Sequence, residues 1–182
     1  MPETLKFCSA IDHPELVGPT LTSLLQNWQG STPIEDIQVA QIDPTAAGGN
    51  DFCSKYGISP NSGANCVIIE GSHNDRRVIA ACVMLVGYRA NFNTQVKKTL
   101  RVKRVSVAPL AKVLVETQMG YGSITPFGLP EHWPILLDSR ILEVPRLIIG
   151  SGLVNSKLAL PGKALIELAN AVSVENLATK IT

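Results

Sequence analysis

Long apolar runs are missing from this sequence. The longest, Val78–Val86, falls well short of the ~20 residues that a membrane-crossing helix needs, and it reads instead as a buried strand. The opening Met1-Pro2-Glu3-Thr4-Leu5-Lys6 lacks a basic start leading into an apolar stretch, so no signal peptide is expected. No Asn-x-Ser/Thr acceptor occurs. Charge of one sign is also missing. Charged residues make up 17% of the chain and the net charge is +1, which implies no global attraction to nucleic acid or membrane. Any polyanion site must come from local clustering.

Metal-binding and redox signatures are equally scarce. The four cysteines, Cys8, Cys53, Cys66 and Cys82, form no Cys-x-x-Cys pair. They sit among apolar residues and read as reduced, buried thiols of a cytoplasmic chain. Cys66 has no basic neighbour in sequence, so it reads as apolar filler rather than a nucleophile. His13, His73 and His132 stand far apart, and no metal site is expected. Gly150-Ser151-Gly152 begins like a dinucleotide fingerprint but lacks the third glycine. Pro161-Gly162-Lys163-Ala164 has neither the upstream glycine nor the following Ser/Thr of a phosphate-binding loop. No nucleophile elbow and no His-Glu-x-x-His are present. No cofactor is implied.

What is present suits a packed domain. The chain has 182 residues, 45% of them hydrophobic, enough to bury about 70% of its unfolded surface. One domain is expected, with residues 1–35 as a helical lead-in and 36–170 as the core. Asp12-His13-Pro14-Glu15 looks like a helix start, and Leu21, Leu24, Leu25 and Trp28 follow at helical spacing. Ile37–Ile42 alternates as a strand does. Asn50 or Asp51 is expected to cap a short helix that Gly57 closes. Asn65–Glu70 and Val78–Gly87 read as an antiparallel hairpin, Asn93–Leu100 as a helix, and Pro109–Thr117 as another. Strands are expected at Ile135–Asp138, Leu147–Gly150 and Leu158–Leu160, a last helix near Lys163–Ala169, and an edge strand at Val172–Val174. Strands outnumber helices without regular alternation. The expected class is α+β, a single domain with a mixed, curled (pseudo-barrel) sheet flanked by helices.

Two stretches draw attention for function. Met119–Pro130 packs three glycines and two prolines together with Met, Tyr, Ile, Phe and Leu. A solvated linker avoids such apolar residues, so this reads as an ordered loop packed on a core, where binding sites tend to sit. Lys97, Lys98, Arg101, Lys103 and Arg104 fall within eight residues. Such a run is either a solvated face or a patch that tracks the phosphates of a nucleic acid.

Gly122-Ser123-Ile124-Thr125-Pro126 resembles the signature loop of the YbaK/ProRS-associated family, and the resemblance extends in order and spacing from Ile37 to Leu168. Members of that family hydrolyse mischarged aminoacyl-tRNA, often mischarged tRNA-Pro, acting in trans or appended to a synthetase. The resemblance implies a deacylase whose loop backbone surrounds the aminoacyl group, with no side-chain nucleophile. Water or the substrate's own groups carry out the attack. It assigns Asn65 and Gly122–Pro126 to catalysis, and Gly128, His132, Gly150, Ser151, Gly152 and Lys157 to substrate binding. Taken alone, Gly150–Gly152 reads equally as a hairpin turn. Aminoacyl-tRNA is the implied partner, with an aminoacyl-tRNA synthetase as a second. The family carries a functional lysine where this chain has Asn65. The literal Lys98-Thr99-Leu100 lies too near Gly122 to be its equivalent. Lys157 stands where many members have an acidic residue and is a candidate to restore the missing charge. The alternative is a non-catalytic module that binds tRNA ends or a small ligand because that lysine is lost.

Overall fold

The computed structural model describes residues 2–181. In chain order the strands and helices are β1 (Cys8–Ser9), α1 (Pro19–Gln26), β2 (Gln38–Gln41), α2 (Gly49–Tyr56), β3 (Ala64–His73), β4 (Arg76–Leu85), β5 (Tyr88–Ala90), α3 (Lys97–Leu100), β6 (Arg104–Val107), α4 (Leu110–Thr117), β7 (Ile135–Asp138), β8 (Leu147–Gly150), β9 (Ser156–Leu160), β10 (Ala171–Val174) and β11 (Ala178–Lys180). A π-turn, Phe92–Val96, leads directly into α3. The class is α+β, as the element pattern implies. Among the described residues no helix is long and apolar enough to cross a membrane.

Strand alternation explains how the layers form. One sheet runs β1-β2-β9-β8, all antiparallel, a second runs β10-β7-β4-β3-β6, and β11 pairs with β5 in a small two-stranded sheet. The second is mixed, because β7 is parallel to both β4 and β10 while β3 is antiparallel to its neighbours. Ala81, Val83 and Leu85 point into the main core, where they meet Val39, Leu158, Leu160, Leu147 and Ile149 from the first sheet. Ala80, Cys82 and Met84 face the other way, onto Val96, Leu100, Val102 and Leu177. Apolar residues on both faces make Val78–Val86 read as a continuous run. On the outer face of the first sheet, Ile148 and Ala159 pack under Phe52, Cys53 and Tyr56 of α2. Each large side chain buried in these layers contributes about 1.5–3 kcal/mol. A bridge between Gly63 and Ile148 ties the two sheets together at one edge.

Several local expectations are corrected. Asp12 does not start α1. Residues Pro14–Leu16 form a single 3-10 turn, and Gly18 followed by Pro19 opens the helix, since proline at the first helical position gives up no intrahelical bond. Neither Asn50 nor Asp51 caps α2. Gly48 is its N-cap, and the acidic cap in this region belongs to Asp43, which accepts from the Thr45 N–H at the preceding turn. Gly57 closes α2 in the left-handed conformation, as expected. The end of the basic segment, Arg104–Val107, is a strand on the edge beside β3. Gly162–Glu167 is a 3-10 segment rather than an α-helix.

Candidate active site

The loop between α4 and β7 is ordered by main-chain bonds. Gln118 ends α4 in the left-handed region. The Gly120 N–H donates to the Gly152 carbonyl (2.8 Å), and the Gly152 N–H donates back to the Ser123 carbonyl (2.8 Å). The loop is thereby zipped to the β8–β9 connection. Two glycines make this path possible. Gly122 has φ +80°, where a Cβ is strained. At Gly150 a Cβ would stand 2.3 Å from the Ser123 carbonyl oxygen, so only glycine lets the loop lie flat on β8.

Beneath the loop lies a cavity of about 640 Å³. Its floor is Lys157 on β9, opposite Gly150 in register. Lys157 shares a strand face with Ala159 and so faces α2, and only 6% of it is exposed. Its Nζ donates to the Ala47 carbonyl (2.8 Å) and the Gly122 carbonyl (2.9 Å), and it stands 5.6 Å from the Phe52 ring centroid. An ammonium has three donors. Two are used here, leaving one for the cavity. Burial pulls the Lys157 pKa down to about 8, opposed by the neighbouring Cys53. At neutral pH the group remains mostly protonated, which fits its role as a double donor.

The carbonyl of Ala47 is held in place by a small clamp. The Asp43 carboxylate accepts from the Thr45 N–H and side chain and pairs with Lys55, while the Asp43 N–H donates to the Tyr56 hydroxyl (2.7 Å). Lys55 first, then Thr45, hold the Asp43 carboxyl well below the usual carboxylate range. The turn leading to Ala47 is fixed as a result.

Asn65 forms another part of the cavity wall. It sits at the start of β3, where the strand's outer edge is unpaired because β6 joins only from Ile69 onward. Its amide makes no hydrogen bond among the described residues and abuts Gly49 at the start of α2. The opposite wall is apolar, from Ala64, Ile68, Ala108 and Val113. The half-buried Cys66 thiol also lines it, and desolvation raises its pKa far above neutral, so it is no thiolate nucleophile. Val107, Leu110 and Tyr121 stand exposed at the rim. Among the described residues the N–H groups of Gly122 and Ile124 donate to no protein acceptor.

The cavity therefore brings together Asn65, Gly122, Ile124, Gly150 and Lys157. Other residues singled out from the sequence lie elsewhere. Ser123 and Thr125 are fully buried with hydroxyls that find no partner, and Pro126 is buried behind the loop. Ser151 is buried, and its hydroxyl bonds with that of Ser156 (2.7 Å). Gly152 serves the zipper, and Gly128 packs on the Thr20 backbone. His132, expected at the rim, lines a different cavity of about 730 Å³ with Arg77, Lys97, Arg104, Lys112 and Glu70. Its neighbour Trp133 is anchored in the core, and this carries His132 away from the first cavity.

That second cavity belongs to a basic face. Lys98, Arg101, Lys103 and Arg104 are exposed and Lys97 is half-buried, and Arg76 and Arg77 from the β3–β4 hairpin join them. None of these forms an ion pair among the described residues. Lys98 of the literal Lys-Thr-Leu lies here and does not line the first cavity. Seven residue steps along β3 take Asn65 to Ser72 at the basic end, about 23 Å at strand rise.

A profile of the aminoacyl-tRNA editing domain family matches residues 43–168. The chain belongs to the aminoacyl-tRNA editing domain family. The match encloses the loop, Lys157, Asn65 and the whole of the first cavity. Solved structures share the fold. One is a protein described only as hypothetical, 18% identical, with TM-score 0.73, covering 88% of this chain and 99% of that one. Another is a protein proposed to be a trans-editing enzyme for prolyl tRNA synthetase, 14% identical, with TM-score 0.68, covering 87% of this chain and 97% of that one. A search of curated protein sequences returned no match.

Sequence reasoning missed Ala47, Asp43, Lys55 and the rim residues Val107, Leu110 and Tyr121. Asp43-Pro44 follows directly on the alternating run Ile37–Ile42, but the bond of its carboxylate to Lys55 twelve residues later has no signature in the sequence. The Ala47 contribution is a carbonyl, which any residue supplies.

Proposed function

We propose that this editing domain hydrolyses the ester of mischarged aminoacyl-tRNA in trans, with mischarged tRNA-Pro as the first substrate to test. The observation that carries this reading is Lys157, buried beneath the loop and bonded to the carbonyls of Ala47 and Gly122, with one donor left for a ligand. Water adds to the acyl carbonyl. The oxyanion that forms accepts from the remaining Lys157 N–H and from the unpaired N–H groups of Gly122 and Ile124. The carbon–oxygen bond to the ribose then breaks, the ribose oxygen takes one proton of the attacking water, and the amino acid leaves as its carboxylate, the second proton passing to solvent. The misattached side chain lies against Ala64, Ile68 and Val113, and Asn65 orients the ribose. Lys97, Lys98, Arg101, Lys103 and Arg104 track backbone phosphates, with Arg77 and His132 beside them. Gly128, Ser151 and Gly152 act by holding the loop. An aminoacyl-tRNA synthetase that makes the mischarged product is the natural partner.

Asn65 favours a second reading. A neutral amide where the family has lysine leaves a module that binds tRNA ends without turnover. A panel of mischarged tRNAs separates the two. Release of amino acid from at least one, above the buffer rate and dependent on Lys157, is expected. Binding without release across the panel refutes the deacylase and establishes the module.

A further inference from the structure

The second cavity, of about 730 Å³, is built around one cross-strand rung. Ser72 of β3 pairs with Arg77 of β4 on one side and with Arg104 of β6 on the other. Residues paired in this way put their side chains on one face of the sheet, ~5 Å apart from strand to strand. Two arginines therefore flank a serine, and all three line the cavity. Both arginines are exposed, and neither forms an ion pair among the described residues. Two like charges held this close repel each other, and nothing on the rung offsets them.

The rest of the lining sharpens the imbalance. The one carboxylate in it, Glu70, is matched by Lys112 at 3.4 Å. Lys97 and His132 add further basic groups. Trp133 forms part of the wall and is only 1% exposed, yet its indole N–H finds no acceptor among the described residues. That group can only donate. The unmatched groups are thus mainly cations and donors, and they call for a compact anion with several oxygens. A phosphodiester inside a strand carries one charge and continues past any point it touches. A phosphomonoester ends a chain, so a cavity can enclose it, and it carries about −1.5 to −2 charges at neutral pH. Arginines on either side can each offer it paired N–H groups.

We propose that this cavity takes the 5′-terminal phosphomonoester of the RNA whose 3′ end enters the first cavity, an inference that rests on the reading of that cavity as the aminoacyl site. The spacing fits. Seven steps of β3 place Ser72 about 23 Å from Asn65. An unpaired 3′ tail of about four nucleotides rises ~14 Å at the ~3.4 Å step of a stacked strand. Crossing from the foot of the tail to the end of the opposite strand adds on the order of 10 Å, a groove's width. The domain then grips both ends of one acceptor stem. An RNA that still carries nucleotides before its 5′ end presents a diester here and binds poorly.

The test is equilibrium binding of the full chain to an uncharged acceptor-stem hairpin of tRNA-Pro, labelled in its loop and ending in either a 5′-phosphate or a 5′-hydroxyl. Wild type should bind the phosphorylated hairpin at least fivefold more tightly. Arg77→Ala should weaken that hairpin at least fivefold and the 5′-hydroxyl one less than twofold, with an unchanged thermal midpoint. Arg77→Lys should restore part of the preference, since it returns the charge without the fork. Lys98→Ala, outside the cavity, should weaken both hairpins by the same factor. Equal wild-type affinity for the two hairpins, or binding of neither, overturns the proposal. So does an Arg77→Ala loss that is equal for both, which leaves Arg77 tracking diesters only. Inorganic phosphate that shifts Arg77 and His132 resonances in NMR, while the two hairpins bind equally, assigns the cavity to a free phosphate compound and overturns the RNA end. A 5′-phosphate preference in a protein that deacylates nothing keeps this site and refutes the hydrolase. Deacylation of both hairpins, once mischarged, with the same KM refutes this site and keeps the hydrolase.

Discussion

Replacing Lys157 by methionine tests the proposed chemistry most directly, because the expected changes in stability nearly cancel while those in catalysis do not. The lysine's pKa falls from 10.5 to about 8 on burial. At about 1.4 kcal/mol per pKa unit, carrying the charge in the fold costs about 3 kcal/mol. Lys157→Met removes that cost and keeps a stem of similar length against Phe52. It also strips the donor from the carbonyls of Ala47 and Gly122. Each orphaned carbonyl costs roughly 1–2 kcal/mol, less where cavity water reaches it. The balance lies within about 1 kcal/mol of zero, so urea unfolding should be nearly unchanged. Catalysis has no such compensation. Losing the ammonium removes one oxyanion donor and frees the loop carbonyl, for which a 100- to 1000-fold fall in single-turnover deacylation is expected. The assay is release of labelled amino acid from preformed mischarged tRNA under saturating protein. A variant that unfolds like the wild type and keeps kcat within threefold would refute the assigned role.

Other outcomes follow from the same geometry. Gly150→Ala drives a Cβ to 2.3 Å from the Ser123 carbonyl; it should cost about 3 kcal/mol in chemical denaturation by lifting the loop off β8. Gly122→Ala meets Ala47 only at 3.4 Å, so it should cost about 1–2 kcal/mol, the left-handed penalty alone. Neutralising Lys97, Lys98, Arg101 and Arg104 together should weaken tRNA binding and flatten the slope of log affinity against log salt by about 3–4; an unchanged slope removes this face from RNA binding. The depressed Lys157 pKa sets a pH window. Between pH 8 and 10.5 the unfolded chain holds a proton that the folded chain has released, so stability conferred at this site rises with pH across that window. Wild type should gain up to about 3 kcal/mol relative to Lys157→Met over that range, and a parallel pH dependence of the two proteins would refute the burial argument.

The layers of the fold were legible where alternation and punctuation agreed. Gly57 closes α2 as its sequence implies, and the β3–β4 hairpin falls where two apolar runs flank a polar turn. Signals failed where a stronger competitor stood nearby. Asp12-His13-Pro14-Glu15 has the pattern of a capping box, but Gly18-Pro19 opens the helix. Arg104–Val107 is a short edge strand whose side chains mostly reach solvent, so no buried apolar face marks it in the sequence. At the site, the loop stands out by its glycines and prolines set among apolar residues, whereas Lys157 is singled out only through the family resemblance. Its acceptors are not singled out at all, since carbonyls leave no trace in a sequence. The displacement of His132 follows from the burial of Trp133, which dominates the local packing.

The two acceptors that hold Lys157 belong to the main chain, and this divides the pocket into parts with different evolutionary freedom. A carbonyl is identical at every residue, so side chains at 47 or 122 matter only through the backbone path they permit. The apolar wall at Ala64, Ile68 and Val113 is made of side chains alone. On the proposed function, exchanging those by a methylene or two would retune which acyl group fits, at ~1–3 kcal/mol per step, without disturbing the clamp. If the proposed deacylase reading holds, selection among amino acids could drift or respecialise while the main-chain clamp on Lys157 stays fixed, by repainting a single wall.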